Sequence, residues 1–108
     1  MSIQGKWRIV EMPDYEPDFP DMMEPAYILF GKSGSQFAFG CVTGTILGTV
    51  NGDSVEFTWS GNDEMDDAHG DGWAERQQDG TLEGQICYRG GDEFDFISRP
   101  WNAFSSAC

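Results

Sequence analysis

The stretch Ser54–Gly61, "SVEFTWSG", alternates apolar and polar side chains with a period of two. Val55, Phe57 and Trp59 fall on one face, and the polar residues between them fall on the other. Successive side chains of a β-strand point to opposite faces, so this pattern predicts a strand with one buried and one solvated face. Strands of that kind are typical of antiparallel sheets.

The same alternation recurs on both sides of this stretch. In "GKWRIVEM" (residues 5–12), Trp7 and Ile9 share a face opposite Arg8 and Val10. Other segments predicted as strands are "AYILF" (26–30), "SQFAFGCV" (35–42), "TGTILGTV" (43–50), "WAERQ" (73–77), "TLEGQICY" (81–88) and "EFDFISR" (93–99). Turn sequences separate them: "GKSG" (31–34), "NGD" (51–53), "DG" (79–80) and "GGD" (90–92). Tight turns at this spacing predict a meander of seven or eight strands.

A meander of that length leaves exposed strand edges unless it closes on itself. We therefore predict an all-β fold, a small antiparallel up-and-down barrel, in a single domain spanning residues 1–108 with residues 102–108 as a frayed tail. Two connections, Pro13–Pro25 and Gly61–Gly72, are predicted to be longer loops, and a helical turn is expected only around Asp21–Glu24. The predicted core consists of Trp7, Ile9, Leu29, Phe37, Phe39, Val55, Phe57, Trp59, Leu82, Ile86, Phe94 and Phe96.

Charge narrows the classes of function. The chain has 19 Asp and Glu residues against 6 Lys and Arg, a formal net charge of −13. Phosphate contacts come from clustered basic residues, so we expect no direct binding to nucleic acid or to an anionic membrane. No apolar run approaches the roughly 20 residues of a membrane helix, and no signal-peptide pattern is seen, so we expect a cytoplasmic protein. Cys41, Cys87 and Cys108, an odd number without Cys-x-x-Cys spacing, favour reduced thiols.

The stretch Gly61–Trp73, "GNDEMDDAHGDGW", partly matches a calcium loop. Asp67, His69, Asp71 and Gly72 have the spacing of the first half of an EF-hand. The match fails at the histidine, a poor calcium ligand, and at the flanking segments, which are predicted strands. A transition-metal site built on the single histidine and nearby carboxylates stays an alternative, but we predict no metal and no cofactor.

Catalytic arrangements are also missing from the sequence pattern. No serine lies in a nucleophile elbow, and the single histidine has no evident Ser or Cys partner. The carboxylates crowd into segments rich in glycine and proline that we expect to be wet, whereas acid–base catalysis requires a water-restricted cleft. We therefore expect a protein that is not an enzyme.

Gly5 and Trp7 form a Gly-x-Trp motif. It resembles the start of the calycin barrels, the lipocalins and avidins, in which a tryptophan on the first strand closes one end. The segments 39–48, 55–75, 79–86 and 91–101 also resemble, across most of the chain, a group of small uncharacterised bacterial β-barrel proteins. The later lipocalin motifs are missing, so no ligand-contacting residue is transferred. The resemblance implies a barrel and, as an alternative function, carriage of a small apolar ligand inside it.

The acidic residues are unevenly distributed. Segments 14–24, 63–71 and 92–95 contain 13 of the 19. A surface of this kind steers a basic partner, and the apolar residues among the acids, Tyr15, Phe19, Met22, Met23 and Met65, could anchor it. We predict a binding protein for a basic partner such as a nuclease or another nucleic-acid-binding protein, inhibiting it as immunity proteins or phage anti-defence proteins do. The predicted partner-binding residues are Asp63, Glu64, Asp66, Asp67, Asp71, Asp14, Glu16, Asp18, Tyr15 and Phe19. An acidic surface that only keeps the protein soluble stays an alternative.

Overall fold

Eight antiparallel strands form a closed barrel in the computed structural model, which describes residues 3–13, 15–16, 19, 21, 25–31 and 34–101. Each strand pairs with the next in sequence, and the last pairs with the first. The strands are β1 (Gly5–Glu11), β2 (Tyr27–Phe30), β3 (Ser35–Phe39), β4 (Val42–Asn51), β5 (Ser54–Asp63), β6 (Asp66–Arg76), β7 (Leu82–Tyr88) and β8 (Glu93–Pro100). The predicted closed meander is confirmed. The part of the chain that the structure describes contains no helix that could span a membrane.

The alternation of "SVEFTWSG" places Val55, Phe57 and Trp59 inside the barrel, each at most 5% exposed. The rest of the predicted core is also buried, with one error. On β2 the buried residues are Ile28 and Phe30, and Leu29 between them is partly exposed. The prediction was wrong at this position because three consecutive apolar residues do not reveal which face points inward.

Aromatic rings fill the barrel, and glycines on the inner face make room for them. A Cβ atom added to Gly72 would lie 2.7 Å from the Phe57 ring, and one added to Gly84 would lie 2.8 Å from the Phe96 ring. A barrel of about eight strands has an interior just wide enough for side chains. The described interior residues accordingly form one continuous apolar cluster.

Gly5 and Trp7, the Gly-x-Trp pair, have distinct structural roles. Gly5 has a φ of +122°, a conformation that L side chains rarely adopt. Trp7 is 5% exposed, and its indole Nε1–H donates to the carbonyl of Ile3 at 2.9 Å. The motif thus fixes the N-terminal segment onto the barrel at the start of β1.

The acidic stretch Gly61–Gly72 is a hairpin, which corrects the prediction of a long loop. β5 and β6 pair without interruption from Ser54 opposite Glu75 to Asp63 opposite Asp66. Only Glu64 and Met65 lie in the turn. Asp, Asn and Gly have low β-propensity, but pairing in a sheet overrides that preference. The helical turn predicted around Asp21–Glu24 lies outside the described residues except for Asp21.

Candidate functional site

In an up-and-down barrel, every second connection lies at the same end. The connections after β1, β3, β5 and β7, at residues 12–26, 40–41, 64–65 and 89–92, share one end, which we call the acidic end. The described residues of all three acidic segments reach this end. Asp71 and Asp95 are exceptions, because they lie farther along the outward faces of β6 and β8.

Hydrogen bonds hold the connections of the acidic end together. The backbone N–H of Glu64 donates to the carbonyl of Cys41 at 3.2 Å. The Tyr88 hydroxyl donates to Asp63 Oδ2 at 2.9 Å. The tip of the β5–β6 hairpin is therefore fixed to the β3–β4 turn and to β7.

Stacked rings lie beneath the acids. Tyr15 stacks on Phe19, with ring centroids 4.7 Å apart, and on Phe94, with centroids 5.1 Å apart. Phe94 in turn contacts Phe39 and Tyr88, with centroids 5.2 and 5.4 Å apart. Tyr15 and Phe19, predicted as anchors for a partner, thus pack onto the barrel interior, although Tyr15 keeps 36% of its surface exposed.

The remaining predicted site residues are not equally available to a partner. Glu64, Asp66 and Asp67 are exposed at the hairpin tip, and Met65 between them is 96% exposed. Asp63 is partly buried and accepts the hydrogen bond from Tyr88. Glu16 is exposed, whereas Asp14 and Asp18 lie outside the described residues, as do Met22 and Met23.

Two basic residues reduce the negative charge near this end. Arg8 binds Asp21 through both guanidinium nitrogens, Nη1 to Oδ1 and Nη2 to Oδ2, each at 2.9 Å. Asp21 also accepts a hydrogen bond from the Ala26 N–H. Arg89 is exposed in the β7–β8 turn. Asp21 is therefore a structural residue, whereas Glu64, Asp66 and Asp67 at the hairpin tip are exposed and form no ion pair with another described residue.

The geometry of β6 does not suit the EF-hand arrangement. Asp67, His69 and Asp71 alternate along one extended strand, where side chains two positions apart are separated by roughly 6.6 Å. Calcium ligands lie about 2.3–2.6 Å from the ion, so these side chains cannot surround one ion together. Among the described residues, no group of three or more His, Cys, Asp or Glu side chains could hold a metal ion.

The two described cysteines, Cys41 and Cys87, are thiols and are not joined in a disulfide. A hydrogen bond with Glu64, followed by burial, raises the pKa of Cys41. Burial and then the charge of Asp71 raise the pKa of Cys87. Because the thiolate is the nucleophilic form, both shifts lower the reactivity of these thiols near neutral pH.

Sequence reasoning missed a second surface, on the outward face of β5, β6 and β7. Trp73 is 44% exposed there, and strand pairing places it opposite Glu56 and Gln85. The alternation of the predicted strand 73–77 puts Trp73 and Glu75 on one face, but only the register shows which residues of the neighbouring strands lie beside the ring.

No protein-family model, curated protein or solved structure matches the chain. The structure shows an eight-stranded antiparallel barrel, and membership of the calycins or of the small bacterial group stays a prediction from sequence.

Proposed function

We propose that this is a non-enzymatic binding protein whose acidic end engages a basic surface on a partner protein. A nuclease or another nucleic-acid-binding protein has the required chemistry, because its phosphate-binding groove is cationic. The observation that carries the proposal is the β5–β6 tip, where Met65 is 96% exposed between exposed carboxylates. An apolar side chain within a charged rim is the usual arrangement at the centre of an interface.

The backbone of the tip supports the same proposal. Glu64 and Met65 have φ angles of 54° and 91°, although neither is glycine. Left-handed conformations cost L residues about 1–2 kcal/mol each. Such strain persists where the surrounding structure imposes it, and it is common at functional sites. The turn therefore retains a large apolar residue where Asn-Gly would be less strained.

The packed interior favours a surface-binding function over carriage of an apolar ligand. The rings of Phe37 and Trp59 lie in edge contact at 5.2 Å, and Phe30 contacts Phe57 at 6.3 Å. A carrier would need these rings to leave space for its ligand. The filled core leaves the exterior as the surface available for recognition.

The test compares two variants that change the net charge equally at opposite ends. The tip variant is Asp66→Lys with Asp67→Lys. The control carries Asn51→Lys, Asp53→Lys and Gln78→Lys, all exposed at the other end: Asn51 at the last position of β4, and Asp53 and Gln78 in turns. Each variant adds about four positive charges at neutral pH. A partner is first captured from host lysate at low salt, released at about 0.5 M salt and identified.

The association rate of the purified partner is then measured by surface plasmon resonance. We expect the tip variant to lower it by about tenfold, because steering depends on where the charge lies. The control should stay within about twofold of wild type. Equal losses in both variants would show that only total charge matters and would refute a site at the acidic end.

A further inference from the structure

The outward face of β5, β6 and β7 presents one aromatic ring among carboxylates. Trp73 lies opposite Glu56 on β5 and Gln85 on β7, and Glu75 on the same strand lies opposite Glu83. We call this surface the Trp73 face; it consists of Glu56, Asp71, Trp73, Glu75, Glu83 and Gln85.

The apolar part of this face is open to solvent. Trp73 is 44% exposed, and Leu47, on β4 nearby, is 70% exposed. Both line an open groove of about 510 Å³ that Glu56 and Asp71 also border. Isolated apolar residues are ordinary on surfaces, but an aromatic ring and a leucine sharing one groove resemble the centre of an interface.

The carboxylates around the ring lack partners within the described part of the chain. Glu56, Asp71, Glu75 and Glu83 are exposed, and none of their carboxylates has a hydrogen bond or an ion pair with another described residue. They are spread around the ring, and no group among the described residues converges as a metal chelate would. The face therefore suits a cationic side chain better than an ion.

Another tryptophan of this protein, Trp101, contacts basic side chains through its ring. Lys6 Nζ lies 4.0 Å from the centroid of the Trp101 ring, and Arg8 Cζ lies 5.9 Å from it. In the described ranges, no Lys or Arg lies over Trp73. This face thus has a ring and countercharges, but the cation must come from another molecule.

We propose that the Trp73 face docks an arginine side chain on an extended basic segment of another protein. The guanidinium stacks on the indole ring. Glu56 lies directly opposite Trp73 on β5, and Glu83 lies diagonally from it on β7, opposite Glu75. Arginine fits better than lysine, because its planar group stacks on aromatic rings and is less strongly hydrated. Along the direction of β6, Trp73 lies about 27 Å from Met65, at roughly 3.4 Å per residue. Docking at Trp73 is therefore a separate proposal and does not depend on the function proposed for the acidic end.

The test is an NMR titration of the ¹⁵N-labelled full chain at low ionic strength. The probe is an octapeptide of alternating arginine and glycine, and the control peptide replaces each arginine with citrulline, its uncharged analogue. We expect the arginine peptide to change the chemical shifts of the Trp73 indole N–H and of the Glu56 and Gln85 amides. The citrulline peptide should leave these chemical shifts unchanged. Equal responses to both peptides would overturn the proposal.

Variants separate the ring from the charge. We expect Trp73→Leu to raise the Kd of the arginine peptide about threefold, as measured from the Glu56 and Gln85 amides, and Trp73→Phe to raise it less. Glu56→Gln with Glu83→Gln should raise the Kd further than Glu64→Gln with Asp66→Asn, which neutralises the same number of acids at the acidic end.

These variants test docking at Trp73 separately from the function proposed for the acidic end. An unchanged Kd in Trp73→Leu, or equal losses in the two acid variants, would refute docking at Trp73. Failure of the acidic-end variants to affect the natural partner, with the Trp73 response intact, would refute only the function proposed for the acidic end.

Discussion

At the scale of single residues, Tyr88 connects the packed interior to the acidic end. Its ring makes an edge contact with Trp59, with centroids 5.3 Å apart, and its hydroxyl donates to Asp63 at 2.9 Å. Burial, and then the hydrogen bond to Asp63, raise the pKa of Tyr88 well above its usual value. Tyr88 therefore remains a neutral donor at physiological pH and keeps its hydrogen bond to the Asp63 carboxylate.

We expect Tyr88→Phe to lower the free energy of unfolding by about 1–2 kcal/mol, because it removes a hydrogen bond to a charged acceptor and keeps the ring. The raised pKa means that the folded state holds the tyrosine proton more tightly than the unfolded state does. This contribution is fully present below about pH 10, the unfolded value, and is lost as the pH rises above it. Urea unfolding at pH 8 and pH 10.5 should show the difference between the proteins shrinking at the higher pH. Equal stability at pH 8 would show that the hydrogen bond contributes nothing.

At the scale of elements, the β5–β6 hairpin combines a long, regular ladder with a strained turn. Its ladder continues to Asp63 opposite Asp66, and the two turn residues, Glu64 and Met65, both have positive φ. Asn-Gly adopts this backbone readily, since Asn tolerates positive φ and Gly prefers it. Strain and exposure thus coincide at the residue that we propose as an anchor.

We expect Glu64→Asn with Met65→Gly to stabilise the protein by about 1 kcal/mol, equivalent to a Tm increase of about 4–8 °C, by relieving backbone strain. The same change should weaken partner binding, because it removes the exposed methionine. Calorimetry and binding measurements on one preparation would check both effects, and Glu64→Gln alone controls for the lost charge. A stabilised variant that binds as tightly as wild type would exclude Met65 as an anchor.

The sequence predicts those elements whose face is marked by their own side chains. The inward face of β5 could be predicted because Val55, Phe57 and Trp59 alternate with polar residues. Leu29 lies in a continuous apolar run, which does not show which side chains point inward. The β5–β6 hairpin could not be predicted from the acids and glycines that form it, since its pairing depends on the neighbouring strands. The role of Gly72 also depends on a ring from another strand, that of Phe57.

Only part of the candidate site could be predicted from the sequence. The acidic segments are visible in the sequence, and their convergence at one end follows once the meander is known. The Trp73 face could not be predicted, because strand register decides that Glu56 and Gln85 flank the ring. Asp71 was grouped with the acidic end because of its position in the sequence, yet it lies on the Trp73 face.

At the scale of the whole molecule, charge is separated between surfaces. The outward face of β1 and β8 carries Arg99 and Lys6, which is close to Trp101, and Arg8, whose charge is paired with Asp21. The acidic end and the Trp73 face are negative, so the molecule is polarised as well as acidic. A basic partner would approach it in a preferred orientation, which raises the association rate.

The net charge of −13 should make the barrel less stable at low salt. The molecule measures 34 Å along its longest axis, and the Debye length is roughly 30 Å at 0.01 M salt but about 8 Å at 0.15 M. At low salt most charges therefore repel one another across the whole barrel. Salt also weakens the exposed Arg8–Asp21 pair, but such pairs contribute about 0–1 kcal/mol, so the relief of repulsion should be the larger effect.

We accordingly expect the Tm to rise by about 4–8 °C between 0.01 and 0.15 M NaCl, equivalent to about 1 kcal/mol. Thermal unfolding followed by circular dichroism measures it. Asp66→Lys with Asp67→Lys should show a smaller increase, because it replaces two mutually repelling carboxylates with cations and lowers the net negative charge. A Tm that falls with added salt would mean that attractive ion pairs, and not repulsion, dominate the electrostatics of the folded state. The acids of the hairpin tip would then stabilise the barrel. The idea that they lower its stability and are retained for binding would be refuted.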